Sequence, residues 1–163
     1  MVRCWLDIDI GDAAQYALES RAFARAQALF DTIKSQGTMQ ATPPTPLRAG
    51  RLTIELFTEA APRACDGSGG DSIYGKPFND EKGGLKLKHD AAGIVSMANS
   101  GKNSNTSQFF LTLGPAPACD GKHTVFGRVV EGLPILQRID ALAASKDGDP
   151  LTDVCISDSG YDG

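Results

Sequence analysis

The chain has 163 residues, of which 41% are hydrophobic and 22% charged, with a net charge of -4. That length supports one domain with a real hydrophobic core. The scattered basic residues argue against a nucleic-acid-binding face, which needs clustered positive charge, and no apolar run approaches a membrane span. Residues 4–10, CWLDIDI, alternate, with Cys4, Leu6, Ile8 and Ile10 facing one way and Trp5, Asp7 and Asp9 the other. That period of two predicts a half-buried strand, and Asp7 and Asp9 interrupt any secretory apolar stretch.

Asp12 is a helix-capping residue. From Ala13 to about Gln36 the chain is rich in Ala, Leu, Gln and Arg, all good helix formers. Tyr16, Phe23, Phe30 and Ile33, with Ala26 between, recur at helical spacing, and Gly37 is placed to end the helix. The connector TMQATPPTPLRAG, residues 38–50, carries three Pro and reads as extended. Residues 13–49 form an insertion within a single domain spanning 1–163. Its helix is either a surface-packed element or a partner-binding one. RLTIELF, residues 51–57, alternates again, with Leu52, Ile54 and Leu56 inward and Arg51, Thr53 and Glu55 outward. It is the antiparallel partner of the first strand.

DGSGGDSIYG, residues 66–75, is a Gly/Ser loop. It is a weak phosphate-binding signal, because no Lys-Ser/Thr follows at P-loop spacing. GIVSMA (93–98), SQFFLTL (107–113) and HTVFGRVV (123–130) predict three further strands, with turn residues PAPACDGK between the last two. Pro134 opens a helix whose stripe is Ile135, Leu136, Ile139 and Leu142. VCIS, 154–157, is a short final strand. Short strands with few helices predict a mainly β protein, a closed or partly open antiparallel β-barrel with two flanking helices plus the inserted helix.

Cys4, Cys65, Cys119 and Cys155 form no CxxC pair and are expected as free, buried or half-buried thiols in a cytoplasmic protein. His89 and His123 share no zinc-ligand spacing with them, so no metal site is expected. In SQFFLTL the pleat puts Phe109, Leu111 and Leu113 on one face, a core face. Gln108, Phe110 and Thr112 share the other, where amide, ring and hydroxyl suit a groove for an apolar ring flanked by peptide groups.

GIVSMANSGKNSNTSQFFLTL followed by DGKHTVFGRVVEGL resembles the cyclophilin family of peptidyl-prolyl isomerases. The likeness extends to SIYGKPFNDE, LKH, ELFTEAAPRAC and the first strand. It implies an eight-stranded antiparallel barrel capped by two helices. It also implies a cofactor-free isomerase acting on proline-containing peptides and unfolded proteins during folding, expected as a monomer. Carried over by motif, Asn99 pairs its backbone with the bound peptide, with Ala98 and Ser100 alongside. Gln108 faces the peptide, Phe110 lines the proline pocket, and His123 sits on its rim. The family's Trp and Leu before DGKH fall on Ala118 and Cys119, so cyclosporin binding is expected to be weak. The segment bearing the family's catalytic arginine has no counterpart, because ELFTEAAPRAC runs straight into DGSGGDSIYG. The resemblance therefore implies an isomerase, with a catalytically impaired module that binds proline-containing segments as the alternative.

Overall fold

The computed structural model describes residues 2–33, 45–60, 71–142 and 150–162. Six strands form one antiparallel sheet: β1 (Val2–Ile10), β2 (Arg48–Leu56), β3 (Ile94–Met97), β4 (Phe109–Leu111), β5 (Val125–Glu131) and β6 (Val154–Asp162). Their spatial order is β4-β3-β5-β2-β1-β6. The sheet curls into a half-barrel, so β4 and β6 are its two ends. The eight-stranded closure implied by the resemblance is replaced, among the described residues, by this open six-stranded form. Among the described residues three α-helices accompany it: α1 (Ala13–Ile33), α2 (Lys82–Lys86) and α3 (Leu133–Asp140).

The first hairpin follows the alternation in its sequence. β1 and β2 pair directly, with Cys4 opposite Ile54 and Leu6 opposite Leu52, although α1 and its connector separate them in the chain. Ile8, Leu52 and Ile54 are buried, with Cys4, Leu6 and Leu56 packed against them. The opposite face departs from a simple polar exterior, because Asp7 and Glu55 are buried. Long arginine side chains lie over them. Arg51 Nε and Nη2 donate to Asp7 at 2.7 and 2.9 Å, Arg48 also pairs with Asp7, and Arg128 Nε and Nη2 donate to Glu55 at 3.0 and 2.8 Å. A buried carboxylate is tolerated when it is paired in this way. The Arg51 guanidinium also lies 3.8 Å from the centroid of the Trp5 ring, a cation–π contact.

The Asp12 carboxylate caps α1, its Oδ1 accepting from the backbone N–H groups of Ala14 and Gln15 at 2.8 and 2.9 Å. Tyr16 and Phe23 on the expected stripe are half-buried, and Leu18 is exposed. The expected stop at Gly37 lies outside the described residues. α3 starts after Gly132, whose φ of 90° is left-handed and whose missing side chain leaves room for the Arg51 carbonyl. Ile135 and Leu136 enter the core from this helix. β6 is longer than VCIS and runs through Gly160, which sits opposite Trp5. A Cβ there would lie 2.5 Å from the Trp5 Cζ2, so only glycine lets the indole lie flat on this strand. Among the described residues, no helix is long and apolar enough to cross a membrane.

Candidate active site

β3 and β4 pair with Ser96 opposite Phe110 and Met97 opposite Phe109, so the pleat sends the two phenylalanines to opposite faces. The Phe110 ring is held between two imidazoles. It stacks on His89, with centroids 5.8 Å apart and planes at 12°. It meets His123 edge-on at 5.4 Å and 88°. His123 Nδ1 lies 3.0 Å from the Met97 carbonyl. A carbonyl can only accept, so neutral His123 carries its proton on Nδ1 and keeps a lone pair on Nε2.

Asn99 bridges the two loops of the site. Its Nδ2 donates to the Lys122 carbonyl at 3.0 Å, and its Oδ1 accepts from the Gly101 N–H at 3.3 Å. Among the described residues, the backbone N–H and C=O of Asn99 bond no protein group. The Ala98 N–H donates to the Gln108 carbonyl at 2.9 Å, which brings Gln108, exposed, beside the same turn. The Ser100 N–H is already given to Ser104 Oγ at 3.0 Å, so that amide is committed within its own loop. Ala118 and Cys119 lie on a short 3-10 turn, Pro117–Cys119. Ala118 is exposed, and the Cys119 carbonyl accepts from the N–H groups of Lys122 and His123 at 3.1 and 3.2 Å. Cys119 thus supports the turn that carries His123.

The polar loop between β3 and β4 is scaffold. Asn103 and Asp80 exchange backbone-to-side-chain bonds at 2.9 and 3.0 Å. Buried Asn105 donates Nδ2 to the Phe78 carbonyl and to Asp80 at 3.2 and 2.8 Å. Thr112, expected to face the groove with Gln108 and Phe110, is buried instead. Its hydroxyl accepts from Ile94 N–H and donates to the Ala91 carbonyl at 2.9 and 2.7 Å, which takes it out of any groove.

The face expected to be core holds a second departure. Leu111 packs against the core, but Phe109 is 39% exposed and Leu113 52%. Both line an open cleft shared with Leu136, Ile139 and Ile156. Among the described residues β4 ends the sheet, and no further strand covers these side chains. The cysteine expectation holds for Cys4 and Cys119, which are half-buried, while Cys155 is exposed; all three are free thiols, and Cys65 lies outside the described residues.

One arrangement escaped the sequence reading. His89 is buried at 1% exposure. Asp120 Oδ1 accepts from both its backbone N–H at 2.9 Å and its Nδ1–H at 3.0 Å, so Nε2 accepts from the Ser96 hydroxyl at 3.0 Å. The His89 backbone and ring bonds, helped by Lys88 Nζ at 3.3 Å, hold the Asp120 carboxyl down at about 2. The set has the connectivity of a Ser-His-Asp relay, but Ser96 is fully buried and no substrate reaches it. Its signal lay in two motifs already noted: LKH, whose His89 was given no role, and DGKH, read for His123 and not for Asp120.

The cyclophilin type peptidyl-prolyl cis-trans isomerase/CLD family matches residues 63–161. The chain belongs to the cyclophilin family. "Peptidyl-prolyl cis-trans isomerase cypE" of Dictyostelium discoideum is 41% identical over 140 residues, covering 66% of this chain and 88% of its own length. "Peptidyl-prolyl cis-trans isomerase-like 1" of Emericella nidulans is 54% identical over 140 residues, covering 66% and 86%. "Peptidyl-prolyl cis-trans isomerase 9" of Caenorhabditis elegans is 54% identical over 95 residues, covering 58% and 30%. In the first of these only about 108 of the 140 aligned positions fall on residues of this cyclophilin (66% of 163). The remainder of the aligned relative faces a gap, in keeping with the segment missing after ELFTEAAPRAC.

The arginines described in this cyclophilin are occupied elsewhere or lie on other elements. Arg48 and Arg51 hold Asp7, Arg128 holds Glu55, and Arg138 Nη1 donates to the Ala49 carbonyl at 3.1 Å. Arg3 is on β1 opposite Glu55 and Asp162, and Arg21 and Arg25 are exposed on α1. None takes part in the bonds and ring contacts that build the Phe110 cluster.

Proposed function

We propose that the chain accelerates rotation about X–Pro bonds at the Phe110 cluster. The observation that carries this reading is the Phe110 ring, fixed between His89 and His123 beside an Asn99 backbone with its N–H and C=O open. Rotation about the peptide bond costs roughly 18–20 kcal/mol because amide resonance is lost as the bond twists. Uncatalysed, it takes tens to hundreds of seconds. The reaction needs no acid, base or cofactor, only a surface that binds the twisted bond better than the planar one.

Each residue then has a physical task. Phe110 packs the prolyl ring and holds it still while the acyl side turns. Asn99 pairs its backbone with the residue next to the proline, and Ala98 lines that contact. Gln108 offers its exposed amide to the turning carbonyl, and His123 closes the rim. Ser100 contributes its surface, its N–H being spent on Ser104. Ala118 leaves the 3-10 turn without the indole that the family uses toward cyclosporin, so cyclosporin binds weakly. Nanomolar binding in a titration would contradict that. The clients are proline-containing peptides and unfolding proteins, met by a monomer. The free thiols among the described residues suit the reducing cytoplasm.

The test is exchange spectroscopy on a short Ala-Pro peptide. Acceleration of cis–trans exchange that scales with protein concentration is expected. No acceleration at high protein concentration overturns the reading, and peptide binding without exchange would assign the chain to binding alone.

A further inference from the structure

We propose that His89 is a positioning residue for the proline pocket: its ring, pinned at both nitrogens, is the fixed back against which Phe110 is held square to His123. The proposal rests on the isomerase reading for its functional consequence and on the geometry for its substance. The Phe110 ring runs parallel to His89 at 12° and perpendicular to His123 at 88°. Together the two imidazoles define both its position and its rotation.

Both imidazoles are tied to consecutive residues of β3, His89 to the Ser96 hydroxyl and His123 to the Met97 carbonyl, and Phe110 lies opposite Ser96 in register. Asp120 closes the frame. It bonds His89 twice and stands in the same turn as His123, where the Cys119 carbonyl gathers the Lys122 and His123 amides. The LKH loop is fastened to this frame a second time, because the Ala116 N–H donates to the His89 carbonyl at 2.7 Å. An aliphatic residue at 89 would fill the same space, but nothing would then set the plane of the Phe110 ring. A site works only when its contact residues are locked by those behind them.

The experiment uses the full chain with labelled phenylalanine rings. It reads the Phe110 ring signals by NMR, together with KM and kcat on the Ala-Pro peptide. His89→Gln removes the stacking ring and keeps polar atoms for its partners. It should shift the Phe110 signals and raise KM about tenfold, with kcat changed by less than about twofold, because an interaction shared by ground and transition states is lost. Asp120→Asn keeps an oxygen acceptor for both His89 donors and should leave the ring signals and KM within about twofold of the original chain.

A folded His89→Gln variant with unchanged ring signals and KM overturns the proposal. So does Asp120→Asn losing as much as His89→Gln, since the carboxylate charge rather than the ring position would then be responsible. If His89→Gln does not fold, His89→Phe keeps the space filled but unpinned. The Phe110 ring signals should then shift or broaden, and unchanged signals overturn the proposal. If the unaltered chain shows no isomerisation, the isomerase reading fails on its own while the ring signals still decide whether His89 positions Phe110.

Discussion

Phe109 and Phe110 are neighbours on β4, yet the surroundings of their rings differ sharply. Around Phe110 the side chains that hold the ring are tied: His123 to Met97, His89 to Ser96 and Asp120, Asn99 to Lys122. Phe109 touches Phe126 edge-on at 6.3 Å but remains 39% exposed, as do Leu113 and Ile156 at 52% each. These exposed side chains share one open cleft, and Phe109 also borders a separate cavity of roughly 370 Å³ lined by Cys4, Leu56, Met97 and Phe126. Alternation chooses the face on which a side chain lies. Burial on that face depends on whether another layer stands opposite, and among the described residues β4 and β6 end the sheet without one.

The strongest way to break this comparison is to truncate each ring in turn. Phe110→Ala should lower kcat/KM about 100-fold, because the prolyl ring loses its fixed wall. Phe109→Ala should leave kcat/KM within about twofold and cost about 1–2 kcal/mol in chemical denaturation. A fully buried phenylalanine loses about 3–5 kcal/mol. Equal damage to catalysis by both variants would erase the distinction between the faces.

The open face can be sharpened with a hydrophobic dye. The native protein should bind it at neutral pH, since contiguous exposed apolar surface is unusual in a soluble protein. Leu113→Ser combined with Ile156→Ser should remove about half of that signal while leaving peptide isomerisation unchanged. Two carboxyls, Asp7 and Asp120, are depressed by different partners. The bonds from Arg51, then those from Arg48, hold Asp7 at about 2. Asp120 is held at about 2 by the His89 bonds first. Both start from 3.8 in the unfolded chain. Their contribution to stability is therefore fully present above pH 3.8 and lost as pH falls toward 2. Acid titration of unfolding should show this limb. Asp7→Asn and Asp120→Asn should each flatten it; in the unaltered chain the Phe110 ring signals should move as Asp120 takes up its proton, and Asp120→Asn should abolish that movement. The smallest effect belongs far from either face. Asp12→Ala should cost about 1 kcal/mol or less, confined to the start of α1, as a small loss of helical circular dichroism.

The strand pattern of this molecule is readable from its residues wherever alternation is strict. CWLDIDI and RLTIELF place Ile8, Leu52 and Ile54 in the core because a pleat admits no other arrangement. The separation of Phe110 from Phe109 follows from the same rule. What alternation misses is the reach of long side chains. Asp7 and Glu55 lie on the polar face, but Arg48, Arg51 and Arg128 cover them, so a position facing outward is not an exposed one. It also misses α2, whose sequence KGGLK has two glycines and little helix propensity. Leu113 misleads for the opposite reason, since its face is right and its cover is lacking. His89 was invisible as a site element because burial of a histidine depends on partners distant in sequence, here Ser96 and Asp120.

The flat seat that Gly160 provides for Trp5 makes the chain's one tryptophan a reporter of a single district. The indole lies on β1 under the Arg51 guanidinium, within the β2-β1-β6 side of the sheet. Its emission follows the opening of that side, where β6 is an edge. The proposed proline pocket, built on β3 and β4, contains no indole. Tryptophan fluorescence therefore measures how firmly the last strand is held, while occupancy of the pocket has to be followed through its histidine and phenylalanine rings.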